Sequence, residues 1–474
     1  MQFINRKKEI EYLRESLDLS KNKLFSMSIS GLRRVGKTRL VLEFLRNKDL
    51  YFFVNKNKES GNLLSEYAEI LKKRGIIKEL ESFRNWDDFF KVIFEDVSGV
   101  VVFDEFQNFF NIDKSVFGIM QKFIDLNENK KNLFLIFTGS TVGLIKRIFS
   151  DSKEPLYGRL KRRLNLKPLP FKDCIKICNN LDINKIEEAV ILHSLFGGYP
   201  KYYISIEDEG LKGAGLQEIM ERFFFKDNAV LEDEILQILS LEFGKRTGIY
   251  YNILSAIANG NTRISEIASF LRKKESAITR QIDELVNYFE IVGIEAPLIH
   301  GRNLFYIKHQ LMNFWFKYFF PHLSSYKRRE EWVKKKIVND INSFIGKGFE
   351  MICREVFDNV VPFEYERIGR QCGKFKGEKG KNTYEIDIVA LNEKKKEILF
   401  GECKWKDKVN ALEIVNELKE KSRYVDWYKE ERKESFAVFA KSFSKRSKEF
   451  EGKKVFCFDL KDMEESLIKK KRKK

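Results

Sequence analysis

The stretch Gly31-Leu32-Arg33-Arg34-Val35-Gly36-Lys37-Thr38 fits the pattern G-x-x-x-x-G-K-[ST] and follows an apolar run over residues 24–29. The pattern predicts a strand, a glycine loop and a helix that begins at Lys37. Such loops turn backbone N–H groups toward phosphate oxygens, and the helix points the positive end of its dipole at them. We expect these eight residues to bind ATP, with Lys37 at the β- and γ-phosphates and the Thr38 hydroxyl as a ligand of Mg²⁺.

Length and charge narrow the class of protein. With 474 residues, 43% of them hydrophobic, the chain is long enough for about three domains and is not of the disordered class. Its 88 basic and 70 acidic residues give a net charge of +18, which favours a polyanionic partner, and we expect DNA. No stretch approaches the roughly 18 apolar residues of a membrane-spanning helix, so we expect a cytoplasmic protein without a membrane partner.

Apolar runs alternate with amphipathic stretches through the first third of the chain, which indicates an α/β fold with a parallel sheet covered on both faces. The predicted strands after the first are residues 50–54, 100–103, 133–138 and 164–169. We expect four parts: a P-loop NTPase core over residues 1–170, a helical lid over 171–245, a winged helix-turn-helix over 246–325, and a last α/β domain over 326–474.

The third part is predicted from three helical patterns, residues 250–258, 264–271 and 275–289, followed by two short strands at 294–297 and 304–307. This order resembles a winged helix-turn-helix, and Ser276 is placed to cap its third helix.

The exposed side of that third helix would carry Thr279, Arg280 and Asn287, which would touch base edges and phosphates in a major groove. A module for domain or protein contacts fits as well, because the same helix carries Glu275 and Glu284, which do not favour DNA.

Polar residues that suit ATP hydrolysis follow the predicted strands. Asp104 and Glu105 come directly after residues 100–103, where Asp104 would hold Mg²⁺ through its water shell and Glu105 would polarise the attacking water. Ser140 ends the next strand and could hydrogen-bond the γ-phosphate or the water. Arg159 lies in a polar loop, from which an arginine of the same or a neighbouring subunit could stabilise the charge of phosphoryl transfer, so a homo-oligomer stays open.

Several motifs together resemble the archaeal ATPase family, a branch of the AAA+-related signal-transduction (STAND-type) ATPases. They are Phe3-Ile4-Asn5-Arg6 with Glu9, the GLRRVGKT loop, FDEFQ at 103–107, TGS at 138–140, YGR at 157–159 and GGYP at 197–200. The resemblance implies that Arg159 and the Gly197 loop contribute to the nucleotide site. It also implies a winged-helix region and a carboxyl-terminal domain after the ATPase core.

A second candidate site lies near the carboxyl terminus. Asp387 lies in one predicted strand, and Glu402 and Lys404 share a face of the next. A turn near Lys394 and Lys395 would place Asp387 opposite Glu402, so that the two carboxylates would converge on one metal ion. Asp387 and Glu402 would then bind Mg²⁺, and Lys404 would orient the water or neutralise the transition state of phosphodiester hydrolysis.

The order of Asp387, then Glu402-Cys403-Lys404, resembles the restriction-endonuclease-like nucleases, and Glu350 matches the acidic residue that these proteins often carry on their first helix as a further metal ligand. The predicted strands and helices agree with the αβββαβ core of that fold. The alternative is that these charges line an exposed sheet face.

Three functions remain open from the sequence. The first is an ATP-driven machine acting on DNA through a nuclease-like domain. The second is a regulatory nucleotide switch whose carboxyl-terminal part recognises protein or nucleic acid without cutting it. The third is a chaperone-like ATPase without a nucleic-acid partner. The basic run at residues 469–474 is predicted to be a solvated tail, with a phosphate-binding arm as the alternative.

Overall fold

A computed structural model describes residues 3–244, 248–375 and 382–468, and the predicted tail at 469–474 lies outside them. The chain divides into two compact units. Of the described residues, the first unit contains 3–168 with 287–290, and the second contains those within 169–286 and 291–468. Among the described residues, no helix combines the length and the apolar composition needed to cross a bilayer.

The first unit alternates strands and helices. Its elements are α1 (Lys7–Ser20), β1 (Phe25–Ser30), α2 (Lys37–Phe44), β2 (Leu50–Phe53), α3 (Ser60–Lys73), α4 (Trp86–Glu95), β3 (Gly99–Asp104), a 3-10 turn (Phe106–Asn108), α5 (Phe109–Ile112), α6 (Ser115–Leu126), β4 (Leu133–Thr138), α7 (Val142–Ser150) and β5 (Arg162–Asn165).

The five strands form one parallel sheet in the order β2-β3-β4-β1-β5. Because β4 lies between β1 and β3, the segments that follow β1 and β3 flank the carboxyl end of β4. The predicted parallel sheet is confirmed. The central strands β3 and β4 are buried almost throughout, since helices cover both faces of a sheet of this kind.

The last strand differs from its prediction. The expected strand covered residues 164–169, whereas β5 spans Arg162–Asn165 and alternates half-buried with exposed residues. It pairs on one side with β1 and forms the edge of the sheet. The apolar residues Leu166 and Leu169 that suggested a longer strand are buried in the connection that follows it.

The second unit begins with helices and a hairpin. Its elements up to residue 327 are α8 (Phe171–Asn180), α9 (Ile186–Phe196), α10 (Pro200–Asp208), α11 (Leu216–Met220), a π-helical turn (Glu221–Phe225), α12 (Glu234–Phe243), α13 (Gly248–Ala258), α14 (Ile264–Phe270), a 3-10 turn (Glu275–Ala277), α15 (Thr279–Asp283), a π-helical turn (Glu284–Tyr288), β6 (Val292–Glu295), β7 (Leu304–Ile307), α16 (Gln310–Tyr318), a 3-10 turn (Phe320–His322) and α17 (Leu323–Lys327).

The segment predicted as one helix over residues 275–289 consists of three shorter helical turns. Ser276 lies inside the first turn and does not cap a helix, because α15 begins later, after Ile278, without a side-chain cap. Thr279, Arg280 and Asn287 are exposed, as expected. Arg280 Nε donates to Glu284 Oε1 at 2.9 Å, so the acidic residue neutralises part of the basic surface.

The remaining elements form a mixed α/β region. They are α18 (Glu331–Glu355), α19 (Phe357–Val360), β8 (Arg367–Lys374), β9 (Thr383–Asn392), β10 (Glu397–Lys404), β11 (Val409–Asn410), α20 (Ala411–Ser422), β12 (Lys433–Ala440), β13 (Phe443–Lys445), β14 (Glu449–Phe450), β15 (Lys453–Phe458) and α21 (Leu460–Ile468). The helix that opens this region, α18, is 25 residues long.

The sheet of this region has the order β14-β15-β12-β10-β9-β8. Strands β8, β9 and β10 pair antiparallel, and β12 pairs parallel with β10 after the crossover helix α20. The predicted order of one helix, three strands, a helix and a strand is therefore observed.

Candidate functional site

The phosphate loop has the backbone that its glycines permit. Gly36 precedes α2 with a φ of 98°, a left-handed conformation that costs little only for glycine. The side chain of Lys37 is nearly buried, and its Nζ donates to the carbonyl oxygens of Gly31 at 2.7 Å and Leu32 at 3.2 Å. The ammonium group thus lies against the same loop that would hold the phosphate oxygens of a nucleotide.

Arg6 supports this loop from a distant part of the sequence. Its guanidinium donates to the carbonyl oxygens of Val35 at 3.2 Å and Lys167 at 2.8 Å, and it pairs with Glu9 at 2.9 Å. The side chain is 6% exposed. The sequence showed Arg6 only as part of a family motif, because contacts across about 30 and 160 residues cannot be derived from spacing.

Asp104 joins the loop helix to the sheet at the carboxyl end of β3. Its Oδ2 accepts hydrogen bonds from Thr38 Oγ1 at 2.9 Å and from the Tyr51 hydroxyl at 2.6 Å. Its Oδ1 accepts from Thr138 Oγ1 and from the backbone N–H of Glu105, the latter at 3.0 Å. Burial, followed by the charge of Asp104, raises the pKa of Tyr51, so its hydroxyl stays a donor.

A hydroxyl and a carboxylate next to the phosphate loop suit Mg²⁺, which prefers oxygen ligands and keeps several waters. The donor set of Thr38 and Asp104 therefore fits the ion that a nucleotide would bring. Tyr51 and Thr138 were not predicted as members of this site.

Glu105 lies beside Asp104 in a left-handed conformation with a φ of 57°. Its Oε2 accepts hydrogen bonds from Ser140 Oγ at 2.8 Å and from Gln107 Nε2. The structure thus brings the predicted Glu105 and Ser140 together. It adds Gln107, which the sequence showed only as the last letter of FDEFQ.

Arg159 lies at the amino ends of the strands, opposite the end of the sheet that carries the phosphate loop. Its carbonyl oxygen accepts from Ser26 Oγ at 2.5 Å, at the amino end of β1, whereas the phosphate loop follows the carboxyl end. Five residues of strand correspond to about 16 Å, more than an arginine side chain spans. The guanidinium pairs with Asp125, from Nη2 to Oδ2 at 3.1 Å. The structure therefore does not bring Arg159 to the phosphate loop of the same chain.

The GGYP segment lies in the second unit. Gly197 ends α9 with a φ of 59°, and a Cβ at Gly198 would collide with the carbonyl oxygen of Leu169. These glycines permit a close turn between α9 and α10. Their implied contribution to the nucleotide site stays a prediction.

Three carboxylates of the carboxyl-terminal region lie close together. Oxygen atoms of Glu350 on α18 and of Glu385 and Asp387 on β9 are all within 4.8 Å of one another. Asp387 Oδ2 also accepts the backbone N–H of Cys403 at 2.9 Å. Glu385 was missed from the sequence, although its position two residues before Asp387 places both side chains on one face of a regular strand.

Burial and like charges raise the pKa values of two of these carboxyl groups, Glu350 and Asp387. Burial, followed by the charge of Asp387, raises the pKa of Glu350 to about 7. Burial, followed by the charge of Glu402, raises the pKa of Asp387 to about 6. Carboxyl groups in this state bind a divalent cation with release of protons.

The register of β9 and β10 confirms the predicted turn. Glu397 pairs with Asn392 and Gly401 with Ile388, so the chain reverses at Lys394 and Lys395. On its other side β9 pairs with β8, and this second pairing contains a bulge. Two steps along β8 correspond to the three steps from Ile386 to Val389 along β9, which changes the alternation around Asp387.

Glu402 lies outside the three-carboxylate group. It is 5% exposed, and its Oε1 accepts from Lys404 Nζ at 2.8 Å and Lys421 Nζ at 2.9 Å, while Oε2 accepts from Lys421 at 2.9 Å. The expected convergence of Asp387 and Glu402 is therefore only partial, because two ammonium groups hold Glu402. Lys421 on α20 was missed, since only the fold brings it to β10.

The comparisons with known proteins agree with this picture of the first unit. Residues 3–206 match a family described as an ATPase domain predominantly from Archaea. Residues 315–419 match a family described as Archaea bacterial proteins of unknown function. The uncharacterized protein MJECL04 of Methanocaldococcus jannaschii is 27% identical over 474 residues, which cover 97% of this chain and 99% of that protein.

Solved structures of P-loop ATPases are among the similar proteins. The Walker-type ATPase PABY2304 of Pyrococcus abyssi is 20% identical, covers 66% of this chain and 96% of its own, and has a TM-score of 0.51. The Aeropyrum pernix ORC2 protein is 14% identical, covers 71% of this chain and 96% of its own, and has a TM-score of 0.48.

The sheet, the phosphate loop and the PABY2304 likeness define the first unit as a P-loop NTPase-like α/β domain. More particularly, its sequence match is to the ATPase domain found mainly in Archaea, and that match supports ATP binding and hydrolysis.

Proposed function

We propose that this chain is a Mg²⁺-dependent ATPase whose nucleotide state controls a carboxyl-terminal module that binds and cleaves DNA. The observation that carries the ATPase part is the hydrogen bond between Thr38 Oγ1 and Asp104 Oδ2 at 2.9 Å. It joins the phosphate loop to the acidic end of β3, which supports a single ATP·Mg²⁺ site formed by both.

In this proposal residues 31–38 hold the phosphates, and Lys37 turns from the loop carbonyls to the β- and γ-phosphates. Thr38 and Asp104 hold the metal ion, which supplies charge neutralisation when bound. Glu105 polarises the water that attacks the γ-phosphate. Ser140, which donates to Glu105 Oε2, would hydrogen-bond the γ-phosphate when it is bound.

Arg159 fits this proposal only from a neighbouring subunit. Its position at the amino ends of the strands and its ion pair with Asp125 keep it away from the phosphate loop of its own chain. A STAND-type homo-oligomer in which Arg159 approaches the nucleotide of the next copy is the arrangement that we propose.

The DNA-directed part rests on three features of the second unit. The helices α13 to α15 with the hairpin β6–β7 have the order of a winged helix-turn-helix, and Thr279 and Arg280 are exposed. The order of its main helices and strands along the chain resembles the αβββαβ arrangement of restriction-endonuclease-like proteins. Its Glu350 and Asp387 lie close together, beside a lysine pair on Glu402.

The carboxylates of Glu350 and Asp387 fit a divalent cation because their donors are oxygen atoms. Glu350, Asp387 and, after release from its lysines, Glu402 would hold Mg²⁺, which supplies a polarised water when bound. Lys404 would orient that water or neutralise the scissile phosphate. Burial lowers the pKa of Lys404, but the Glu402 carboxylate outweighs burial and raises it, so the ammonium form is maintained.

Replacing Asp387 with alanine should abolish conversion of supercoiled plasmid to nicked or linear DNA in the presence of Mg²⁺ and ATP. The side chain is 8% exposed within the carboxylate group, so its removal takes away a buried ligand. The matched control is Glu413→Ala, which removes an exposed carboxylate from α20 in the same region. Equal cleavage by wild-type protein and Asp387→Ala would contradict the nuclease assignment.

Mn²⁺ binding to the carboxyl-terminal site should strengthen as pH rises from 5.5 to 8. The pKa values of about 7 for Glu350 and about 6 for Asp387 mean that protons compete with the metal below these values. Each competing proton weakens binding by up to about tenfold per pH unit. Calorimetric titration of a Lys37→Ala variant with Mn²⁺ measures this site without nucleotide. An affinity independent of pH would argue against metal binding by these carboxylates.

The regulatory switch remains the second candidate, and the lysine clamp on Glu402 favours it. A carboxylate neutralised by Lys404 and Lys421 is a weaker metal ligand than a free one. Nucleotide-dependent binding of DNA without cleavage by the wild-type protein would support a switch with a binding module. A DNA affinity that barely changes with salt would instead favour a protein partner.

A further inference from the structure

Gln107 occupies a buried position next to the proposed water-polarising carboxylate. It lies in the 3-10 turn after β3 and is 2% exposed. Its Nε2 donates to Glu105 Oε2, the same atom that accepts from Ser140 Oγ at 2.8 Å. Glu105 is therefore held by two donors from two different segments of the chain.

The other end of the Gln107 amide lacks a partner. Among the described residues, its Oε1 is one of the few buried side-chain oxygens without a hydrogen bond. Flipping the amide would not relieve this, because Oε1 would then face the Glu105 carboxylate. An unpaired buried acceptor is costly to keep, so its presence beside a reaction site indicates that a donor arrives there during function.

Gly139 leaves the space for this oxygen. A Cβ at Gly139 would collide with Gln107 Oε1 and with the side chain of Ile145. Because Gly139 precedes Ser140 in the TGS segment, the end of β4 accommodates both the free acceptor and the second donor to Glu105. The small residue thus leaves room for Oε1 directly beside Ser140, the second donor to Glu105.

We propose that Gln107 positions both Glu105 and the attacking water in ATP hydrolysis. Its N–H groups hold the Glu105 carboxylate, and its Oε1 accepts a hydrogen bond from the water that Glu105 polarises. This inference rests on the proposed role of Glu105.

In the hydrolysis step the water oxygen forms a bond to the γ-phosphorus while the bond from that phosphorus to the β–γ bridging oxygen breaks. ADP leaves with the bridging oxygen, and Glu105 receives the proton that the water loses. Gln107 transfers no proton, and its contribution is orientation.

The test compares Gln107→Met and Gln107→Glu with the wild-type chain. Methionine keeps the approximate volume but removes both hydrogen-bonding ends, and glutamate keeps an acceptor but loses the donor to Glu105. We expect kcat for phosphate release to fall about 10- to 100-fold in each variant, the range for losing a hydrogen bond to a charged group. The affinity for a fluorescent ATP analogue should stay within about twofold, because Gln107 does not hold phosphate.

Asn108→Ala is the matched control from the same turn. Its Nδ2 donates to the Val54 carbonyl at 2.7 Å, a contact that connects the turn to the end of β2. This variant should melt at a lower temperature yet retain kcat within about twofold. Parallel losses of kcat, nucleotide affinity and melting temperature in Gln107→Met would overturn the inference in favour of a structural role.

Failure of the inference is distinguishable from failure of the proposed function. If the wild-type chain releases no phosphate, or Glu105→Gln hydrolyses ATP at the wild-type rate, the role assigned to Glu105 is wrong. If the wild-type chain is active, Glu105→Gln is inactive and both Gln107 variants keep the wild-type kcat, the role of Gln107 alone is wrong.

Discussion

Replacing Lys37 with alanine should abolish ATP turnover and weaken nucleotide binding by about 100-fold, which corresponds to about 2.7 kcal/mol. Lys37 Nζ, the buried cation of the loop, lies 2.7 Å from the Gly31 carbonyl and would provide the main cationic contact to the phosphates. Alanine removes that charge and also the hydrogen bonds that tie the loop to the start of α2. Titration with a fluorescent ATP analogue and a phosphate-release assay measure the two effects.

Arg39→Ala is the matched control for this prediction. Arg39 lies on the same helix, is exposed, and makes a surface ion pair with Glu43 at 3.6 Å. Its removal takes away one positive charge near the loop without touching the loop itself, so binding should stay within about twofold. Nucleotide binding at wild-type strength by Lys37→Ala would count against the assignment of the phosphate loop.

Replacing Glu105 with glutamine should leave nucleotide binding intact and slow hydrolysis by about 10²- to 10⁴-fold, the range for losing a proton acceptor in the transition state. The amide oxygen of glutamine can still accept the hydrogen bond that Ser140 Oγ donates at 2.8 Å, so the local geometry should persist. What is lost is the negative charge that polarises water. Single-turnover hydrolysis measured with saturating ATP separates this chemical step from binding.

Glu128→Gln is the control for the carboxylate. Glu128 is exposed near the amino end of β4 and pairs with Lys161 at 3.3 Å. The Glu128→Gln variant should show wild-type turnover, because Glu128 lies near the amino ends of the strands and the phosphate loop lies at their carboxyl ends. Undiminished turnover by Glu105→Gln would transfer the role of water activation to another group.

The phosphate loop and the acidic pair Asp104-Glu105 could be found from the sequence because each is encoded within a few consecutive residues. The strands that precede them were also predictable, since buried parallel strands are continuous apolar runs. Strand β4 matches its prediction at both ends, whereas the edge strand β5 does not, because an edge strand needs no apolar run.

The partners of these residues could not be predicted, because they come from distant segments. Tyr51 reaches Asp104 from the neighbouring strand, and Lys421 reaches Glu402 from a helix that packs on the sheet. The bulge near Asp387 also escaped detection, since alternation in a sequence assumes a regular strand. The pairing of β9 with β10 could be predicted, because the turn at Lys394 and Lys395 joins two strands that are adjacent in the sequence.

The contact of Arg6 with Val35 and Lys167 bears on how fragments of this chain should be designed. A fragment cut to begin at β1 would contain every letter of the phosphate-loop motif. It would nevertheless leave the Val35 carbonyl without its guanidinium and expose the loop backbone to rearrangement. The smallest piece that retains the shape of the loop therefore starts before Arg6 and extends beyond Lys167, and the motif alone does not delimit the functional unit.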